Sequence, residues 1–158
     1  MSTDTATFGA GCFWGVEETF RNTPGVLSTE VGYAGGTVKD PTYEMVWTGA
    51  TGHAEAVRIT FDPEKISYDD LLKIFFEVHD PTAKNRQGPN IGDEYRSVIF
   101  FQHPEQKVAA QKFINALETS GKFIRPIVTE IVPFTNFYRA EEYHQRFLNK
   151  RGLGSCHI

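Results

Sequence analysis

The chain has 158 residues, a length that suits one domain with a substantial core. Its 16 Lys+Arg against 20 Asp+Glu give a formal net charge of −4, which argues against nucleic acid as a main partner, because phosphate binding needs a basic face. No apolar run approaches the roughly 20 residues of a membrane span, and the opening Met1-Ser2-Thr3-Asp4-Thr5 lacks the basic start and apolar stretch of a secretion signal, so a cytoplasmic protein with no membrane association is expected.

Residues 5–9 form a short β-like run that Gly11 interrupts. Residues 13–22 read as a helix with Phe13, Val16 and Phe20 on one face, stopped by Thr23-Pro24-Gly25. Residues 26–33 are β-like and lead into a loop rich in Gly and Pro, 34–41. Residues 54–61 alternate, with Val57, Ile59 and Phe61 on one face and Arg58 and Thr60 on the other. Ser67 suits the N-cap of a helix to Val78, which carries Leu71, Ile74, Phe75 and Val78 at helical spacing. Residues 96–101 are apolar on both faces, the mark of a central strand. This β-α-β-β-α-β order is the split βαβ (ferredoxin-like) pattern. It predicts an α+β two-layer sandwich whose mixed, mostly antiparallel sheet has both helices on one face. Beyond it, residues 104–119 read as a helix opened by proline, 127–132 as a strand, and 140–150 as a helix ending at Gly152. The tail 153–158 has no pattern and is expected to be irregular. With no repeat or linker, residues 1–158 are expected to form a single domain.

There are two cysteines, Cys12 and Cys156. A permanent disulfide is not expected in a reducing cytosol, so the choice is between two unrelated thiols and a redox pair. Cys12 falls where a strand ends and a helix begins. Unpaired backbone N–H groups there carry partial positive charge and favour a thiolate, the nucleophilic form. Gly11 permits a sharp turn, Gly15 leaves room beside the helix, and Phe13 and Trp14 set two aromatics next to the sulfur. A lone Cys in an aromatic core is the commoner case, but the placement between two glycines at a helix start favours a nucleophile. Glu17 and Glu18 oppose thiolate formation.

Glu55 follows Gly52-His53-Ala54, and its parity matches Val57, Ile59 and Phe61. A regular pleat turns this carboxyl inward, where desolvation raises its pKa and lets it act as a general acid. A solvated strand-end Glu is the commoner alternative. Tyr43, after the Gly-rich loop, and Tyr95, at the head of the central strand, each carry a hydroxyl able to hold a polar oxygen. For each alone, a core tyrosine with a satisfied hydroxyl is the commoner case.

Gly11-Cys12-Phe13-Trp14-Gly15, Pro41-Thr42-Tyr43, Thr51-Gly52-His53-Ala54-Glu55-Ala56-Val57, Asn85-Arg86-Gln87-Gly88, Tyr95-Arg96-Ser97 and Gly154-Ser155-Cys156-His157 together resemble the A-type peptide methionine sulfoxide reductases, over essentially the whole chain. The resemblance implies that Cys12 attacks the sulfoxide sulfur and Glu55 protonates the departing oxygen. It implies that Tyr43 and Tyr95 hold that oxygen and that Phe13 and Trp14 wall the methyl group. It implies action on the S epimer of methionine sulfoxide, in oxidised proteins or as the free amino acid, and so protein repair under oxidative stress. A sulfenic acid on Cys12 would then condense with Cys156, the resolving cysteine on the irregular tail, and thioredoxin would reduce the disulfide. No metal or organic cofactor is implied, and a monomer is expected. Two departures stand out. Many members carry Asp where Asn90 stands, and an amide hydrogen-bonds but carries no charge, which bears on the pocket and its pH profile. Some members have a second tail cysteine, and here Cys156 alone would face the reductant.

Two other classes compete. A thiol hydrolase would pair Cys12 with His53, His79, His103 or His144, oriented by Asp80 or Asp93, and would have no use for Cys156. A redox-sensing module would oxidise without turnover. A zinc site is not expected, since the sequence has no CxxC or HExxH pairing.

Overall fold

The computed structural model describes residues 3–150. Its first strand, β1 (Asp4–Ala10), turns Ala6, Phe8 and Ala10 toward the helices. The first helix, α1 (Phe13–Arg21), buries Phe13, Val16 and Phe20 as the spacing predicts, and it ends where Asn22 N–H returns to Glu18 O. Strands β2 (Val26–Ala34) and β3 (Ala54–Phe61) pair antiparallel along almost their full length. Between them lies α2 (Tyr43–Trp47), which the Gly- and Pro-rich sequence before it did not signal. Thr42 caps it by accepting Met45 N–H at 3.2 Å. Helix α3 (Tyr68–Glu77) starts at Ser67 with a reciprocal capping box to Asp70. A two-residue hairpin, β4 (Arg86–Gln87) and β5 (Asn90–Ile91), precedes a 3₁₀ turn at Asp93–Tyr95 and the strand β6 (Ser97–Phe101). Then come α4 (Pro104–Ser120), closed by Gly121 at φ 74°, and strands β7 (Glu130–Pro133) and β8 (Tyr138–Arg139).

The sheet order is β7-β6-β1-β3-β2-β8. The split βαβ core occupies its middle, β6-β1-β3-β2, with every neighbour antiparallel. β7 adds parallel to β6 and β8 antiparallel to β2, giving the mixed sheet. One core lies between the sheet and the helices. Phe8 is its hinge point, its ring 5.8 Å from Phe20 of α1 and 4.8 Å from Phe75 of α3. Burying each such ring is worth about 1.5–3 kcal/mol. The opposite face carries Ala34, Ala54, Ala56, Val98 and Phe100, covered by Val132, Phe134 and Phe137. β6 is therefore buried on both faces, as its unbroken apolar run implied. Among the described residues no helix is long and apolar enough to cross a membrane.

The expected helix over 140–150 does not form as one piece. A 3₁₀ turn spans Glu142–His144 and a single helical turn, α5, spans Phe147–Lys150. The break has a cause. Buried Gln145 uses its side chain on backbone, accepting Val31 N–H at 2.9 Å and donating to Val31 O and Ala140 O at 2.8 and 2.9 Å. Arg146 then adopts φ 51°, which no continuous α-helix allows, and its N–H donates to Glu17. The strand expected at 127–132 is displaced toward its C-terminal end, where backbone register with β6 starts at Glu130. The tail 153–158, and Cys156 with it, lies outside the described residues.

Gln145→Ala leaves the buried Val31 N–H without a partner. It should lower the unfolding free energy by about 2 kcal/mol in urea titration. A loss under about 0.5 kcal/mol would mean that Gln145 does not hold this segment.

Candidate active site

Gly11 has φ 93°, and a Cβ there would lie 2.7 Å from Gln87 Cγ. Only glycine makes this turn, and it delivers Cys12 to the N-cap position of α1 with φ −60° and ψ 118°. Cys12 is buried there, 8% exposed, and its side chain makes no capping hydrogen bond to the first helical turn. Gln87, singled out in the sequence only as part of the Asn85-Arg86-Gln87-Gly88 motif and without a role, is a buttress of this turn. It accepts Asp80 N–H at 2.8 Å and donates to Asp80 O at 2.7 Å, so the β4–β5 hairpin braces the Gly11 turn. Asn90 sits opposite Gln87 in that hairpin, which ties it to the Gly11 turn through the hairpin. The two acids set against a thiolate are engaged elsewhere. Glu18 pairs with Arg21 at 2.9 Å, and Glu17 is buried, accepting Thr29 O–H and Arg146 N–H, with burial raising its pKa.

Strand parity puts Glu55 on the helix side of β3, 2% exposed. One carboxyl oxygen accepts Phe13 N–H at 3.2 Å, the first unpaired donor of α1 and the residue next to Cys12. Burial pushes the carboxyl up to about 8, the Phe13 N–H pulls against it, and the nearby Glu94 adds to the rise. Glu94 is the second carboxyl of the site and escaped the sequence reading. It is 3% exposed in the Asp93–Tyr95 turn, and a Cβ at Gly92 would collide with its Oε1. Tyr43 is pushed up to about 12 by burial and then by Glu55 and Cys12. Tyr95, 7% exposed, is also raised by burial, then by Glu55, Tyr43, Glu94 and Cys12. Both phenols therefore keep their protons at neutral pH and stand within the electrostatic reach of Glu55 and Cys12. Four sequence candidates (Cys12, Glu55, Tyr43 and Tyr95) meet in one place, delivered by four different segments.

Aromatic rings close the site on the side of the helix start. Phe13 is 1% exposed, 5.9 Å from the Tyr33 ring and 5.3 Å from His144. Trp14 stacks on Phe147 at 3.9 Å and donates its indole N–H to His144 Nδ1 at 3.0 Å. Glu141 fixes the entry to α2 by accepting Tyr43 N–H at 3.0 Å and Tyr33 O–H at 2.8 Å. Burial pushes Glu141 up, and these hydrogen bonds more than reverse it.

Among the described residues, three histidines have both ring nitrogens engaged and the fourth has one. His53 is held between Gly36 N–H and Val38 O, and His79 between Phe75 O and Ser97 Oγ. His103 faces Asp4 and Glu105, and His144 Nδ1 faces Trp14, with no hydrogen-bond partner for its Nε2 among the described residues. His53, His79 and His103 thus have both ring nitrogens engaged by groups other than Cys12, unlike the freely presented imidazole base of a thiol hydrolase. Among the described residues no three His, Cys, Asp or Glu side chains converge as a metal site.

The helix-start cysteine thus sits one residue from the N–H that holds a buried carboxyl, with two phenols nearby, and comparison with known proteins makes the chain a thiol-dependent oxidoreductase and gives its family. The profile described as "Peptide methionine sulfoxide reductase" matches residues 4–158. The chain is 59% identical to the peptide methionine sulfoxide reductase MsrA of Methanoculleus marisnigri over 155 residues, 98% of this chain and 94% of that one. Its fold matches methionine sulfoxide reductase A of Corynebacterium diphtheriae with a TM-score of 0.87 at 38% identity, covering 98% of this chain and 77% of that one. Mxr1 of Saccharomyces cerevisiae, solved in complex with Trx2, matches with a TM-score of 0.64 at 27% identity, covering 90% of this chain and 84% of that one. The chain belongs to the A-type peptide methionine sulfoxide reductases.

Glu55 carries a proton in the folded chain up to about pH 8 and releases it near 4.5 when unfolded. Its contribution to stability is complete below the unfolded value and is lost as pH rises through the folded one. Relative to the wild type, Glu55→Gln should therefore gain stability between about pH 5 and pH 8 in urea unfolding. A difference that does not change with pH would contradict the raised pKa.

Proposed function

We propose that the chain reduces methionine-S-sulfoxide, protein-bound or free, to methionine, and that it works as one catalytic domain in the cytoplasm. The reading rests on one observation above the others, the buried Glu55 carboxyl held on Phe13 N–H, beside Cys12.

In this reading Cys12 attacks the sulfoxide sulfur as a thiolate, helped by its place at the start of α1. The sulfoxide oxygen is a poor leaving group until protonated. Glu55 supplies the proton from the oxygen that Phe13 does not occupy, and the Tyr43 and Tyr95 hydroxyls donate hydrogen bonds to the same oxygen. The oxygen passes to the Cys12 sulfur. The substrate sulfur is reduced by two electrons, Cys12 is oxidised by two to a sulfenic acid, and methionine leaves. Phe13 and Trp14 receive the methyl group, and an apolar wall opposite a polar corner distinguishes the two epimers. Asn90 contributes a neutral hydrogen-bonding amide from the β4–β5 hairpin.

The Cys156 thiol then attacks the sulfenic sulfur. Water departs and a Cys12–Cys156 disulfide forms. A thioredoxin dithiol reduces that disulfide and is itself oxidised. The complex of the yeast relative with Trx2 supports this partner.

Offered the two sulfoxide epimers separately with a thioredoxin-coupled readout, the wild type should turn over the S epimer alone. Cys12→Ser should abolish activity, and Cys156→Ser should give one equivalent of methionine and stop. Glu55→Gln should slow the single-turnover step by about a hundredfold or more. Continued cycling of Cys156→Ser with thioredoxin would overturn the disulfide step, and an unchanged Glu55→Gln rate would overturn the acid role.

A further inference from the structure

His144 takes no part in the chemistry above, yet its ring is 1% exposed at the centre of the aromatic wall. Four rings surround it: Tyr143 at 4.0 Å, Tyr43 at 4.5 Å, Phe13 at 5.3 Å and Trp14 at 5.6 Å between centroids. A phenylalanine would fill that space without any polar atom to satisfy. The indole N–H of Trp14 is a donor only, so His144 Nδ1 must be the acceptor in the 3.0 Å contact between them. The proton of the neutral ring then sits on Nε2, which is buried with no hydrogen-bond partner among the described residues.

We propose that His144 is a positioning residue: its Nδ1 fixes the edge of the Trp14 indole, and thereby the shape of the substrate wall, only while the imidazole is neutral. The proposal rests on the reading of Trp14 as part of that wall. Phe147 fixes the face of the same indole, with rings 3.9 Å apart and 12° from parallel. Edge and face together leave the indole one orientation. Protonation puts hydrogens on both ring nitrogens, so Nδ1 can no longer accept and the Trp14 contact becomes donor against donor.

The charged and titratable groups around the ring come from several elements. Glu141 and Tyr143 lie on its own segment, and Arg146 follows it. Tyr43 comes from α2 and Tyr33 from β2, the latter through Glu141. The titratable groups of α1, the helix that carries Trp14, are Cys12 at its N-cap, Glu17, which is bonded to Thr29 and Arg146, and Glu18, which is bonded to Arg21. Burial disfavours the imidazolium, Glu141 favours it, and burial prevails, lowering the pKa below the ordinary 6.5. The Trp14 contact therefore holds across the neutral range and fails on the acid side.

The test uses a Trp47→Phe background, in which Trp14 is the only tryptophan. Its emission should show a step on acidification with a midpoint below the ordinary histidine value, and His144→Phe should abolish that step. At neutral pH, His144→Phe should raise KM for methionine-S-sulfoxide about fivefold with little change in single-turnover kcat, the effect of one lost hydrogen bond. His144→Asn, whose Oδ1 can take the place of Nδ1, should restore most of the KM. In a Trp14→Phe background the His144→Phe effect should vanish. An emission that does not titrate, an Asn variant no better than Phe, or a KM effect that persists without the indole would each overturn the link between His144 and Trp14. A KM untouched by Trp14→Phe itself would instead overturn the reading of Trp14 as substrate wall.

Discussion

The hydrogen bond from Phe13 N–H to Glu55 joins the two halves of this site. It spans 42 positions of sequence at 3.2 Å and ties the helix that starts at Cys12 to the strand that carries Glu55. A carboxyl in this place is under two opposed influences. The helix start favours the anion, and burial favours the neutral acid. Burial is the larger, so the group stays protonated near neutrality while remaining anchored. An isolated buried carboxylate would be costly, and a carboxyl at the surface would hold no proton to give. The pleat of β3 together with the first turn of α1 produces the intermediate condition, which is the one the proposed acid role requires.

The second constraint is the segment that follows β8. Although it contributes no atom to the proposed chemistry, it determines the shape of the site. Glu141 holds Tyr33 and the start of α2, Gln145 is bonded to the backbone of β2, and the backbone of Arg146 is bonded to Glu17 of α1. His144 and Phe147 hold Trp14 between these anchors. A buried glutamine and a left-handed arginine interrupt the helix to make these contacts possible. The helix start, the α2 entry and β2, the strand paired with that of Glu55, are thus pinned by one run of chain.

This explains what could and could not be read from the sequence. Local chemistry was legible. Gly11 before Cys12 marks a turn into a helix, and the alternation through Val57, Ile59 and Phe61 puts Glu55 on the inward face. The split βαβ order followed from periodicity alone. Tyr43 and Tyr95 were ambiguous one at a time, because a tyrosine's neighbours in sequence do not reveal which charges its hydroxyl meets. Glu94 and Glu141 went unnoticed, and Gln87 was seen only as part of a motif, because their roles depend on contacts across the fold. The run from Ala140 to Lys150 was misread for the same reason. Its apolar spacing is helical, and only the backbone of β2, over 100 positions earlier in the chain, shows why Gln145 must break it.

The central claim is that Glu55 is a neutral acid at working pH. Difference infrared spectroscopy with carboxyl-labelled glutamate, referenced to Glu55→Gln, measures it directly. A protonated C=O band assigned to Glu55 should persist at neutral pH and disappear with a midpoint near about 8. A band already lost at the ordinary carboxylate value would show an ionised Glu55 and contradict the account.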